Sequence, residues 1–257
     1  MHPDRHLQQL RPATGRVVAA LEGADLAAPI PTCPGWDVTA LVEHLGGAHL
    51  WAQEAALTGR RPERMPARED GGRPLAEWYA DAAERLIGTL TRLDAGAPAW
   101  TFAAGDRTVA FWRRRQLHET LVHAADLALA GRRLGDLPPE RLYAGVCADI
   151  AADGIAEILE VFLPRMARNA PGHVADVIPA PVPIVLSATD ANASWTLQVT
   201  GDDLVITPGA TPDAAATLSG TAAALDLAIW RRTGWDRVER RGDPAAAAAF
   251  MDGLRLP

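Results

Sequence analysis

Arg115-Gln116-Leu117-His118-Glu119-Thr120-Leu121-Val122-His123-Ala124-Ala125-Asp126 is the stretch on which the reading of this chain turns. Glu119 and His123 are four residues apart, so on a helix they share one face, a turn apart. Asp126 continues that stripe three residues on, and Arg115 precedes it. The rest of the circumference is apolar: Leu117, Leu121, Val122, Leu127 and Leu129. A solvated helix face is normally broader and more polar than this. A narrow charged stripe on an apolar helix fits a helix packed inside a bundle around a polar site. Glu/His pairs at this spacing are also common on solvent faces, so the spacing is necessary for metal binding without being specific to it. His118 points about a quarter-turn away from Glu119 and is a poor partner for the same ion.

A second histidine lies upstream in Val42-Glu43-His44-Leu45-Gly46-Gly47, beside the apolar stripe of another helix. A lone histidine there is more often a satisfied core residue than a ligand. Facing Glu119 and His123 across a bundle, His44 would complete a set of two histidines and one glutamate. Zn2+ held by three protein ligands keeps a fourth position open, the pattern of a catalytic site. Gly46 and Gly47 are costly inside a helix. They permit close approach of a neighbour or ligand, or else mark a kink.

Outward from these segments, the first two-thirds of the chain reads as helical, with helices expected over about 6–21, 38–57, 75–93, 109–129 and 139–168. Asp37 is a good N-cap for the second, since its carboxylate can accept from the free N–H groups of the first turn. Thr58-Gly59 stops that helix, and the Arg-, Pro- and Gly-rich stretch 60–73 is loop. The tail differs. A Pro-, Gly- and Ala-rich stretch, 169–183, reads as a linker. Short β-type runs follow at 184–188, 195–199 and 204–207, with Gly201-Asp202-Asp203 as a hairpin turn. A helix is expected at 221–230, and another opens at Asp243-Pro244, an N-cap followed by a first-turn proline. The fold class is therefore α + α/β: a helical bundle over 1–170 and a small α+β domain over 183–257.

The 257 residues suffice for a sizeable core, and 48% hydrophobic with 22% charged residues is ordinary globular composition. All the basic residues are arginine, and the formal net charge is −7. That sign gives no general attraction to nucleic acid or to anionic membranes. No apolar run is long enough for a signal peptide or a membrane span. Cys33 and Cys147 form neither a C-x-x-C pair nor a disulfide framework, as suits a cytoplasmic protein, and read as small buried apolar residues.

Pro31-Thr32-Cys33-Pro34-Gly35-Trp36-Asp37-Val38, followed six residues later by His44, resembles the N-terminal signature of mycothiol-dependent maleylpyruvate isomerases and their relatives. His118-Glu119-x-x-x-His123-x-x-Asp126 resembles their second signature. Ala151-Ala152-Asp153-Gly154-Ile155, Leu227-Ala228-Ile229-Trp230-Arg231-Arg232 and Arg241-Gly242-Asp243 are also similar to stretches of that family. The resemblance spans nearly the whole chain. It implies a DinB-like four-helix bundle, followed by a sterol-carrier-like C-terminal domain. It implies metal ligation by His44, Glu119 and His123, and mycothiol as thiol cosubstrate. Two positions depart from the family pattern. Ala124 stands where many relatives have Arg, and Arg231 where they often have Gly; both bear on the substrate more than on the metal.

A free thiol has a pKa of about 8.5 and is mostly protonated at neutral pH. Zn2+, or another divalent metal, would favour its thiolate, and one Glu with two neutral His leaves such a site cationic. The thiolate could attack a small electrophile. Addition to a cis double bond, rotation and elimination would isomerise it; release of the conjugate would make the enzyme a transferase. Arg232 is a candidate to bind a substrate carboxylate, and Asp153 to bond polar groups of the thiol. Asp126 is a candidate to meet the substrate or to orient His123. Trp36 is expected to pack its loop over the bundle. The expected partners are a small thiol and an electrophile, with neither nucleic acid nor membrane, in a monomer or homodimer. Two other readings stand beside this one: a zinc-dependent hydrolase on the same bundle, and a non-catalytic protein binding a small molecule or lipid.

Overall fold

Four helices form where apolar periodicity and end signals coincide: α1 (Pro3–Ala20), α2 (Val38–Thr58), α3 (Leu75–Arg92) and α4 (Val109–Ala128). The Asp37 carboxylate accepts from Ala40 N–H at 2.8 Å and caps α2, and Gly59 closes its far end. α1 begins at Pro3, earlier than the apolar pattern suggested, because proline needs no N–H partner in a first turn. In the computed structural model the described residues are 1–69, 72–169, 178, 182–200 and 203–254. Most of the expected linker, 169–183, and Gly201-Asp202 of the expected hairpin turn lie outside them.

α1 packs on α3 and α4, and α2 also packs on α3 and α4, which makes a four-helix bundle. One shared cluster joins Val17 of α1, Leu41, Val42 and Leu45 of α2, Tyr79 and Ala83 of α3 and Leu127 of α4, with Ile30 from the connecting loop. The buried Arg113 guanidinium donates to the carbonyls of Leu90 and Leu93 and pairs with Asp4, tying the end of α3 to α4 and α1. α2 runs unbroken through Gly46 and Gly47. A Cβ on Gly46 would collide with the Trp78 ring, and one on Gly47 would lie 2.8 Å from the Pro66 carbonyl oxygen. These glycines admit α3 and the preceding loop to close range.

By contacts the chain divides into two compact units, Met1–Leu137 and Pro138–Pro257. Helices over 139–169, grouped with the bundle on sequence, fall in the second unit. The single helix expected over 139–168 is broken there into α5 (Pro139–Leu142), α6 (Ala148–Glu157), a π-helical turn (Ile158–Phe162) and α7 (Leu163–Asn169). Gly145 at φ +74° takes the chain out of helical geometry between α5 and α6, as glycine does at no steric cost.

Among the described residues five strands follow: β1 (Ile184–Ala188), β2 (Ala193–Thr200), β3 (Asp203–Pro208), β4 (Ala216–Gly220) and β5 (Glu239–Gly242). Their order is β3-β2-β1-β4-β5, with β1 and β4 parallel and the other pairs antiparallel. β2 and β3 pair as the hairpin reading requires, down to Thr200 opposite Asp203. β4 and β5 were not anticipated. α8 (Ala222–Ile229) follows β4, and α9 (Pro244–Gly253) starts on the Asp243 cap and packs on β4 and β5. Tyr143 O–H donates to Asp226 at 2.7 Å and ties the end of α5 to α8. Arg231, just past α8, sits at φ +60°, unusual for a residue with a Cβ. Its guanidinium donates to the carbonyls of Met251, Asp252 and Leu254 at the end of α9. Among the described residues no helix is long and apolar enough to cross a membrane.

Candidate metal centre

α2 and α4 lie against each other in the bundle, and their facing stripes bring His44 to Glu119 and His123. His44 Nε2 and His123 Nε2 each lie 3.3 Å from the same oxygen, Glu119 Oε1. The two imidazole rings stand edge to face, with centroids 5.2 Å apart. The second oxygen, Glu119 Oε2, is held by Arg115 Nη2 at 2.9 Å, one turn back on α4. The side chains of His44, Glu119 and His123 keep 29%, 22% and 11% exposure, so the cluster opens to solvent on one side while Arg115 behind it is buried.

His123 is fixed from its other nitrogen. Nδ1 donates to Asp126 Oδ2 at 2.8 Å, which leaves Nε2 directed at the cluster. Asp126 is fully buried. Its Oδ1 accepts from Thr32 Oγ1 at 2.6 Å, and Cys33 Sγ lies 3.6 Å from Oδ2. Asp126 therefore contacts His123 from behind and has no exposed surface of its own. Trp36, on the same loop, packs its ring 4.8 Å from His44 and 6.4 Å from His123 and so walls the site as well as covering the bundle.

The electrostatics follow from these contacts. Burial pushes the Glu119 carboxyl up, but the Arg115 guanidinium and the two histidines more than offset this and hold it well below the usual carboxylate range. Burial disfavours the His123 imidazolium, yet hydrogen bonds to Asp126 and Glu119 prevail and raise it to about 9. A cation at Nε2 would displace that proton. Farther in, His49 is completely buried and lowered to about 4 by burial. As a neutral ring it donates from Nδ1 to Gln116 at 2.7 Å and accepts from Tyr79 O–H at 3.2 Å.

His44, Glu119 and His123 suit a divalent cation on two grounds. Their donor atoms all lie within 4.8 Å of one another. Ligands about 2.0–2.1 Å from a tetrahedral Zn2+ are about 3.3–3.4 Å apart, and the two histidine–glutamate separations here are 3.3 Å. Two imidazoles and one ionised carboxylate also form a donor set that leaves a fourth position for a small molecule.

The remaining sequence candidates belong to the second unit. Asp153 is half-buried on α6. Arg232 follows α8, its guanidinium over the Trp230 ring at 5.8 Å and donating to the Trp230 carbonyl at 2.6 Å. Cys33 is half-buried, and Cys147, read as buried, is exposed beside α6. An N-cap position faces the helix end and not the core, which accounts for the difference. Two residues that shape the site had no role assigned from sequence. Arg115 could have been found, because it stands four residues before Glu119, the spacing of a helical ion pair. Thr32 could not, since nothing local links it to Asp126.

The mycothiol maleylpyruvate isomerase N-terminal domain matches residues 7–128, and the MDMPI C-terminal domain matches residues 149–249. Among solved structures, the mycothiol-dependent maleylpyruvate isomerase and a histidine-to-alanine mutant of it resemble this chain. Each has a TM-score of 0.57 at 16% identity, over 93% of this chain and 93% of the other. At that identity the likeness is one of fold. No curated protein sequence gives a significant match.

Proposed function

Because the chain belongs to the mycothiol maleylpyruvate isomerase family, we propose that it is a metal-dependent enzyme. In this reading it activates a low-molecular-weight thiol, mycothiol, for transfer to a small electrophile or for thiol-assisted isomerisation of one. The observation that carries the reading is the convergence of His44 Nε2 and His123 Nε2 on Glu119 Oε1 at the solvent-open end of a buried polar stripe. Zn2+ or a similar cation held by these three residues would supply positive charge that favours a bound thiol's thiolate near neutral pH.

The chain's own residues do the rest. Arg115 keeps Glu119 ionised and turned so that Oε1 faces both histidines. Asp126 selects the His123 tautomer that offers Nε2. Trp36 covers one side of both rings, limits water there and gives an incoming molecule an apolar wall. In the second unit, Arg232 is the candidate for a substrate carboxylate and Asp153 for polar groups of the thiol. Cys33 and Cys147 form no disulfide. That accords with the cytoplasm, a reducing compartment in which a free small thiol persists.

The test is the metal content of the purified full chain by mass spectrometry, with thiol and electrophile both followed for a panel of small electrophiles. About one divalent ion per chain is expected, with the electrophile turned over only by the metal-loaded protein in the presence of mycothiol, the thiol being consumed in a transfer and regenerated in an isomerisation, and with metal and turnover both lost in His44→Ala. Stoichiometric metal in His44→Ala would remove the assigned site. Turnover of the panel without any thiol would make the protein a hydrolase instead.

A further inference from the structure

We propose that Thr32 is a positioning residue for the metal centre, its hydroxyl fixing the Asp126 carboxylate that in turn fixes the His123 ring. The proposal rests on the reading of His44, Glu119 and His123 as ligands.

A carboxylate with no exposure must find its hydrogen bonds inside the protein. Asp126 gives one oxygen to His123 Nδ1 and the other to Thr32 Oγ1. At 2.6 Å the Thr32 contact has the length of an O–H donor on an ionised acceptor, the stronger class of hydrogen bond. With each oxygen so occupied, the carboxylate plane cannot rotate without breaking a bond, and the imidazole it holds keeps its direction. The Cys33 thiol at 3.6 Å is a weaker donor to the same group.

Thr32 can act this way because its loop is itself fixed. Pro29 and Asp37 form a bridge across its neck, and Ile30 N–H donates to the Trp36 carbonyl at 2.9 Å. Inside it, Cys33 N–H reaches the Ile30 carbonyl and Trp36 N–H the Cys33 carbonyl, with Gly35 at φ +84° making the return. Gly131 N–H, just beyond α4, donates to the Pro29 carbonyl at 2.9 Å. The loop therefore spans from the end of α4 to the start of α2, the two helices that carry the ligands. It reaches His123 through Thr32 and Asp126, and His44 through the Trp36 ring.

The test uses the full chain with Thr32→Val, which keeps the shape and removes the hydroxyl, and Thr32→Ser, which restores it. Zn2+ affinity is read by competition with a chromophoric chelator, and site geometry by the visible absorption of bound Co2+. Thr32→Val should weaken Zn2+ binding by about ten-fold or more, the scale for groups that support a ligand, and should alter the Co2+ bands. Thr32→Ser should stay close to the parent in both. Parent-like affinity and spectrum in Thr32→Val would overturn the proposal, as would a Thr32→Ser variant as impaired as the valine one. Failure of the underlying metal reading is distinguishable. Parent and His44→Ala would then bind Zn2+ alike or not at all, and the role of Thr32 would fall with it.

Discussion

His49 holds a proton far less readily in the folded protein than in a solvated chain, about 4 against 6.5, because burial penalises the imidazolium. As pH falls below 6.5 the unfolded chain takes up a proton that the folded protein refuses. Stability is therefore lost between about 6.5 and 4, by up to about 3 kcal/mol from this residue. Above 6.5 the ring is neutral in both states and costs nothing. His49→Gln should flatten this acid slope, whatever it does to stability at neutral pH. Urea denaturation of both proteins at pH 7 and pH 4.5 measures it, and equal losses would show that His49 is not the group responsible. At this same scale the sequence disclosed Glu119 and His123, because a helix makes four-residue neighbours meet. It did not disclose the Thr32–Asp126 contact, which spans 94 positions and depends on how a loop settles against α4.

The helices of the bundle were legible because each carries its own signals, such as the Asp37 cap and the Gly59 stop of α2. What they could not reveal is which glycines serve packing. A Cβ added at Gly15 in α1 would meet nothing within 4 Å, whereas one added at Gly46 would run into the Trp78 ring. Alanine is favoured over glycine in a helix interior by about 1 kcal/mol, so Gly15→Ala should stabilise the protein by up to that amount. At Gly46 the ring must move, and overpacking of about 1–3 kcal/mol prevails. Gly46→Ala should therefore lower the denaturation midpoint while Gly15→Ala raises it. Two shifts of the same sign would contradict this account of Gly46. β5 escaped notice for the opposite reason. Glu239-Arg240-Arg241-Gly242 is exposed at every position and has no alternation to read. Its strand character comes from pairing with β4, and its charges discourage further pairing at that edge. β4 is short, and its parallel partner β1 is remote in sequence. The break at Gly145 resembled a glycine tolerated inside one helix.

At the scale of the whole molecule the candidate residues fall in two stretches of the chain. His44, Glu119 and His123, with Arg115 and Asp126, all lie in Met1–Leu137, and Asp153 and Arg232 lie in Pro138–Pro257. Changes in the second unit should leave metal loading alone and affect turnover. Arg232→Ala should bind metal as the parent does while raising KM for a carboxylate-bearing substrate, a lost charge-assisted hydrogen bond amounting to about 1.5–3 kcal/mol. Metal analysis beside steady-state kinetics checks this, and loss of metal from Arg232→Ala would mean its role is misassigned.

Arg231 sets a backbone cost against a tether. Its backbone occupies a conformation that glycine adopts freely, and its guanidinium holds three carbonyls at the end of α9. A change to glycine would relieve the backbone and release the helix end together, so gain and loss partly cancel within one codon change. Position 231 should therefore tolerate glycine better than the loss of its hydrogen bonds to the end of α9 alone would suggest.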